Sequence, residues 1–287
     1  VEVLAGCGNE EVANAAKGWL DTVNDGDLNG AASEALLEVL KTADLKDACK
    51  DAAAKILNDS EYLSKKSVWT FGGDGWAYDI GFGGLDHVLA QNEDINLFVF
   101  DTELYSNTGG QASKSTPVGA IAKFAASGMK VKKKDLAQIA MSYGYIYVAQ
   151  IAMGADYNQC IKAIKEAESY NGPSLIIAYA PCINHGIKTG MGKSMEEMKA
   201  AVASGYWQTF RFDPRLAEQG KNPLTIDSKA PSESYRDYIL NEVRYASLLK
   251  FSPDEAEELY KRSEEDAMAK YENLLKMRDA FEPKDEE

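Results

Sequence analysis

From residue 68 onward the chain alternates two hydrophobic rhythms. Short β-branched and aromatic runs are separated by stretches in which apolar residues recur every three or four positions. The runs Val68-Trp-Thr-Phe, Ile95-Asn-Leu-Phe-Val-Phe, Tyr145-Ile-Tyr-Val-Ala and Ser174-Leu-Ile-Ile-Ala-Tyr predict buried strands. Helical spacing over 80–90, 118–126, 136–143 and 157–169 puts a helix between strands, which implies right-handed crossovers onto a parallel sheet. The expected fold is α/β, an open and mostly parallel sheet with helices on both faces, over residues 65–212. Tyr206-Trp-Gln-Thr-Phe-Arg-Phe reads as one more strand. Residues 1–64 form a helical region of different composition, with Val12, Ala15, Ala16 and Leu20 on one face and a break near Asn24-Asp-Gly-Asp. Residues 213–287 read as an irregular wrapping segment up to Pro231, followed by helices carrying Tyr235, Tyr238, Ile239 and Val243, then Leu259, Tyr260, Leu274 and Leu275.

At 287 residues, 45% hydrophobic and 26% charged, the chain is long enough for one large core or two small ones. Its 45 acidic residues against 31 basic ones give a charge of −14, which repels phosphate backbones and anionic membranes, so nucleic acid and membrane are excluded as partners. Residues 252–287 hold 13 acidic and 6 basic side chains, half of that excess, and read as a solvated helix face rather than a recognition arm. No apolar run approaches the roughly 20 residues of a membrane span, and the first residues lack the basic flank of a signal peptide, so a cytoplasmic setting is expected. The four cysteines, Cys7, Cys49, Cys160 and Cys182, are scattered with no C-x-x-C pair, which argues for reduced thiols and against a self-contained zinc or cluster site.

Two polar loops follow the first two predicted strands: Gly72-Gly-Asp-Gly, and Asp101-Thr-Glu-Leu-Tyr-Ser-Asn-Thr-Gly-Gly-Gln. In open α/β sheets ligands sit beyond the carboxyl ends of strands. Glycine at 73 and 75 lets an anion approach the backbone N–H groups at a helix start. Asp74 is then out of place unless a divalent cation lies between it and the anion, so it reads as a hard oxygen ligand for magnesium. Thr102 lies 28 positions on, one helix and one strand away, where it and the following carbonyls reach the other side of the ion. Asn107, Thr108 and Gly109-Gly110 add donors. A lone G-D-G is usually a turn; the pair of loops after consecutive strands is a strong signal.

The runs 72–86 and 101–117, with Tyr179-Ala-Pro-Cys-Ile-Asn-His-Gly, closely resemble the carboxyl-terminal thiamine-diphosphate domain of the pyruvate:ferredoxin oxidoreductase family, over about residues 65–245. The resemblance implies that Asp74 and Thr102 bind magnesium through side chains and Leu104 through its carbonyl. It also implies that Gly73, Gly75, Thr108 and Asn107 hold the cofactor, with Asn107 near the reacting thiazolium. The implied activity is oxidative decarboxylation of pyruvate with coenzyme A to acetyl-CoA and CO2, electrons passing through iron-sulfur clusters to ferredoxin or flavodoxin. The implied cofactors are thiamine diphosphate, Mg2+ and a 4Fe-4S cluster, and the implied partners are the remaining domains of the oxidoreductase and a second copy in a homodimer. By the same resemblance Cys182 is a cluster ligand. The other ligand segments, Cys-Ala-Gly-Cys-Gly and Gly-Cys-Ser, have no counterpart; Ala5-Gly-Cys7-Gly lacks the leading cysteine, where Leu4 stands. The chain therefore reads as a fragment that completes neither the cluster nor the activity alone.

Other readings stay beside this one. A non-oxidative thiamine-dependent 2-oxoacid decarboxylase needs no cluster, and the setting of Cys182 argues against it. A sister oxidoreductase for another 2-oxoacid is compatible with every residue above. A nucleotide-binding or scaffolding module is disfavoured, because the Gly-x-Gly-x-x-Gly fingerprint and a Walker lysine are absent. His87 reads as structural and His185 as a neighbour of the cluster. Lys130, Lys132, Lys133 and Lys134 read as a solvated loop, or else a docking patch for an acidic ferredoxin. Lys114 and Ser115 either neutralise phosphate or brace their loop.

Overall fold

The computed structural model describes residues 1–282; the last five residues of the acidic tail lie outside them. The chain divides into two compact units, Val1–Val68 and Trp69–Glu287. The first is all helix, with its main helices over Glu10–Thr22, Asn29–Thr42 and Asp47–Asn58 around a core of Leu4, Val12, Ala16, Leu36, Leu40, Leu45 and Ala53. Asn9 caps the first of these by accepting from the Val12 N–H at 3.1 Å. The break after it is held by the Asp25 carboxylate, which accepts from the N–H groups of Asp27 and Leu28.

The second unit is built on six strands: β1 Trp69–Gly73, β2 Asn96–Asp101, β3 Tyr147–Ile151, β4 Ser174–Tyr179, β5 Phe210–Phe212 and β6 Leu224–Ile226. Their order in the sheet is β1-β2-β4-β3-β5-β6. The first four in that order run parallel, and β5 and β6 are added antiparallel. Alternate residues of the inner strands enter two cores. Leu97, Val99, Val148, Leu175 and Ile177 pack with the helices Phe82–Ala90, Leu136–Met141, Tyr235–Leu240 and Pro253–Ala280. Phe98, Tyr147, Ala149, Ile151 and Ile176 pack against the helix Tyr157–Glu168. A strand buried on both faces has no polar side, and this is why these segments read as continuous apolar runs.

Two sequence expectations differ here. Residues 118–126 are turns and isolated bridges, not a helix. Gly119 and Gly128 take φ of +83° and +79°, and the backbone bonds are non-local: Gly119 N–H to the Met129 carbonyl and Ile121 N–H to the Arg244 carbonyl. The segment after Asp213, expected to be irregular, contains a capped turn of helix, Pro214–Glu218, and the edge strand β6.

Because β1, β2 and β4 are neighbours and parallel, their carboxyl ends open on one edge of the sheet. Asp74 follows β1, Thr102 follows β2, and Cys182 lies three residues beyond β4.

Candidate functional site

After β1 the chain makes one wide helical turn, Gly75–Ile80, before the helix Phe82–Ala90 begins; single turns of this kind recur at functional sites. Asp74 stands at the start of that turn and is 1% exposed. Its Oδ1 accepts from the Thr102 hydroxyl at 2.8 Å, and its Oδ2 accepts from the Ser113 hydroxyl at 2.5 Å. The Thr102 hydroxyl also lies 3.0 Å from the Leu104 carbonyl oxygen. A carboxylate, a hydroxyl and a backbone carbonyl thus converge from two loops, the hard oxygen set that magnesium takes. The loops are pressed together: a Cβ on Gly75 would lie 2.3 Å from the Tyr105 ring, and the Tyr105 hydroxyl meets the Gly75 carbonyl at 3.3 Å. Gly73 is exposed, leaving bare backbone beside Asp74.

The electrostatics favour a cation. Burial, and then the neighbouring Asp101 carboxylate, push the Asp74 carboxyl up to about 6, against the hydrogen bonds of Ser113 and Thr102. Behind it is a buried ion network. Lys133 bridges Asp101 (2.8 Å) and Glu103 (2.9 Å), and Arg244 bridges Glu103 (2.7 Å) and Glu242 (2.6 Å). Burial alone would raise the Glu103 carboxyl; Lys133 and Arg244 outweigh it and hold it at about 2. Asp101 also accepts from Tyr78 (2.8 Å) and Ser115 (2.5 Å). Three buried carboxylates, Asp101, Glu103 and Glu242, pair with Lys133 and Arg244, and the buried Asp74 stands beside them without a cation at ion-pair distance among the described residues. Four carboxylates against two cations leave negative charge in excess, which a bound divalent ion would offset. Among the described residues no group of three or more His, Cys, Asp or Glu could hold a metal, so the candidate set rests on one carboxylate with neutral oxygens.

Asn107 and Thr108 are exposed on the second loop, and the Thr108 hydroxyl donates to Gln111 at 2.7 Å. Cys182 is buried against the same loop: its sulfur lies 2.9 Å from the Ser106 hydroxyl and accepts from the Asn184 N–H at 3.5 Å. Cys160 belongs to the opposite face of the sheet, packed under the helix Tyr157–Glu168. Asp74, Thr102 and the Leu104 carbonyl therefore converge beyond the carboxyl ends of β1 and β2, and Cys182 packs on the second loop at Ser106, the neighbour of Asn107.

Several contributors escaped the sequence. Lys133 is neither a solvated loop residue nor part of a basic docking patch: it is the inner cation of the network. Lys130 and Lys132 remain on the solvent side, in surface pairs with Glu255 and Asp266, while Lys134 meets the Tyr78 carbonyl and the Phe82 ring. Lys114 pairs with Asp79 at 2.7 Å and Ser115 with Asp101, so both brace the loop. His87 is exposed, whereas His185 is wholly buried with Nε2 2.7 Å from the Thr102 carbonyl and Nδ1 3.4 Å from Glu242. The run of four lysines was a signal for Lys133; nothing local in the sequence marks Glu242 or Arg244.

Residues 50–178 match the family model of the thiamine pyrophosphate enzyme, C-terminal TPP binding domain. The chain is 53% identical over 263 residues to a pyruvate-flavodoxin oxidoreductase of Klebsiella pneumoniae, covering 92% of this chain and 22% of that protein. It is 51% identical over 265 residues to the pyruvate:ferredoxin oxidoreductase of Moorella thermoacetica, again 92% and 22%. It is 46% identical over 259 residues to a mitochondrial pyruvate dehydrogenase [NADP(+)] of Euglena gracilis, covering 90% and 14%. A solved 2-oxoglutarate:ferredoxin oxidoreductase from Magnetococcus marinus matches at a TM-score of 0.39 and 22% identity, over 55% of this chain and 46% of that one, too distant to inform the site. The chain spans about a fifth of the length of the first two relatives. The resemblance read from the cofactor loops stands.

Proposed function

We propose that this chain is the thiamine-diphosphate and magnesium binding part of a pyruvate:ferredoxin oxidoreductase. The observation that carries this is the convergence of Asp74, Thr102 and the Leu104 carbonyl beside the exposed backbone of Gly73. Those three oxygens would hold the magnesium, and Gly73, Gly75, Asn107 and Thr108 would receive the diphosphate. Asn107, exposed where the loop turns back toward Cys182, would be the side chain of this chain nearest the reacting ring. Thiamine diphosphate supplies the carbanion chemistry of 2-oxoacid decarboxylation, so the protein's work is binding, orientation and charge balance. The substrate is pyruvate, by the names of the relatives, with coenzyme A as acetyl acceptor and ferredoxin or flavodoxin as electron acceptor. Cys182 would give one thiolate to a 4Fe-4S cluster; the others, and the pyruvate and coenzyme A contacts, come from the rest of a longer polypeptide. The chain is inactive by itself and works within a cytoplasmic homodimer. Among the described residues no helix is long and apolar enough to cross a membrane.

Calorimetry on the complete protein tests this. Thiamine diphosphate binds tightly only with Mg2+ present, and Asp74→Ala abolishes the magnesium dependence. Cofactor and metal binding at wild-type strength in that variant would show that Asp74 is not a ligand.

A further inference from the structure

Between the two proposed second-loop ligands sits Glu103, with φ +58°, a left-handed conformation that a side chain resists and glycine would take freely. This residue is 1% exposed, and five bonds hold it there. Its N–H donates to Asp101 Oδ1 at 3.0 Å, and its carbonyl accepts from the Thr116 hydroxyl at 2.6 Å. Its carboxylate takes Lys133 at 2.9 Å on one oxygen, and Arg244 at 2.7 Å with the Tyr206 hydroxyl on the other. Lys133 comes from the loop before the helix Leu136–Met141, Tyr206 from the approach to β5, and Arg244 from beyond the helix Tyr235–Leu240. Three distant parts of the unit thus grip one side chain.

The left-handed turn has a local consequence. It reverses the chain between Thr102 and Leu104, so that the Thr102 hydroxyl lies 3.0 Å from the Leu104 carbonyl and 2.8 Å from Asp74. The Thr102 carbonyl, turned the other way, is taken by His185 at 2.7 Å. A residue without the anchored carboxylate would be free to relax to negative φ, and the two oxygens would then no longer face Asp74.

We propose that Glu103 is a positioning residue for the metal: its buried carboxylate, gripped by Lys133, Arg244 and Tyr206, fixes the turn that sets Thr102 and Leu104 against Asp74. This rests on the magnesium reading above. The bland alternative is that Glu103 is only a counter-ion for two cations, and would affect folding without affecting metal affinity.

The test is Mn2+ binding to the complete, chelator-stripped protein with thiamine diphosphate present, followed by EPR, in Glu103→Gln and in the milder Tyr206→Phe. Residues that orient metal ligands typically contribute about 10- to 100-fold in affinity. Glu103→Gln is expected to weaken Mn2+ about tenfold or more and to broaden the bound-Mn2+ spectrum; Tyr206→Phe is expected to weaken it severalfold in a folded protein. Wild-type affinity and line shape in folded Glu103→Gln would overturn the proposal; if that variant does not fold, the same result in Tyr206→Phe overturns it. Asp74→Ala, measured in parallel, separates the two readings. Loss of Mn2+ there with retention in the Glu103 and Tyr206 variants refutes only the positioning role, while retention in Asp74→Ala refutes the metal site and the positioning role together.

Discussion

A carboxyl held at about 6 instead of its ordinary 3.8 stores free energy that a cation can release. The difference is about two pH units, or about 3 kcal/mol at 1.36 kcal/mol per unit. Asp74 is 1% exposed, so solvent screening takes little from that figure. The sign follows from linkage: in the metal-free protein the charged carboxylate costs the fold this energy above about pH 6, and the cost fades as pH falls toward 4. Metal binding must displace the proton below pH 6 and has none to displace above it. Titration of the complete protein with Mn2+ from pH 5 to pH 8 should therefore show affinity rising about tenfold per pH unit up to about 6 and levelling beyond. In Asp74→Asn the profile should be flat and the affinity below wild type at every pH above 6, because the anionic ligand is gone. A wild-type profile with no break between pH 5 and 7 would refute the account, and so would the same break surviving in Asp74→Asn.

Two further changes probe the surroundings. Cys182→Ser in the complete protein should remove or alter the EPR signal of one reduced cluster while leaving thiamine diphosphate binding intact by calorimetry; an unchanged cluster spectrum would take Cys182 out of the ligand set. Lys133→Met leaves Asp101 and Glu103 without their shared cation, and removing one partner of a buried pair costs about 3–5 kcal/mol, so the variant should melt well below wild type or fail to accumulate in soluble form. A melting temperature unchanged within error would mean that the network is not what holds the loop.

What the sequence disclosed and what it hid divide along a physical line. Strands β3 and β4 were legible because they are central and buried along almost their whole length, and β1 and β2 because aromatic and β-branched residues cluster in them, although β1 is an edge strand with no buried residue. The Asp74 and Thr102 loops were legible because two such loops follow consecutive strands; either one alone would read as an ordinary turn. Residues 118–126 misled because their apolar spacing serves packing on a turn chain whose backbone bonds run to Gly110, Met129 and the distant Arg244 instead of four residues back. The ion network was hidden for the same reason: Glu103 and Arg244 are 141 positions apart, and Lys133 is 30 from Glu103. A lysine in a run of lysines reads as solvated until the fold shows which member turns inward.

The arrangement of charge suits the proposed metal site, because no lysine among the described residues closes it. Each cation of the network serves two carboxylates, Lys133 serving Asp101 and Glu103, Arg244 serving Glu103 and Glu242. Asp74 shares in neither pair at ion-pair distance, and its direct partners are the hydroxyls of Thr102 and Ser113. A basic side chain in that place would satisfy Asp74 permanently and occupy the space beside Gly73. Hydroxyl donors hold the carboxylate in position yet leave its charge uncompensated, so under the proposed function a cation arriving with a diphosphate would gain both the ligand and the unspent charge. The same logic limits what this chain does alone. Cys182 has a hydroxyl and an N–H at its sulfur, so under the proposed function the further thiolates of a cluster would come from other residues.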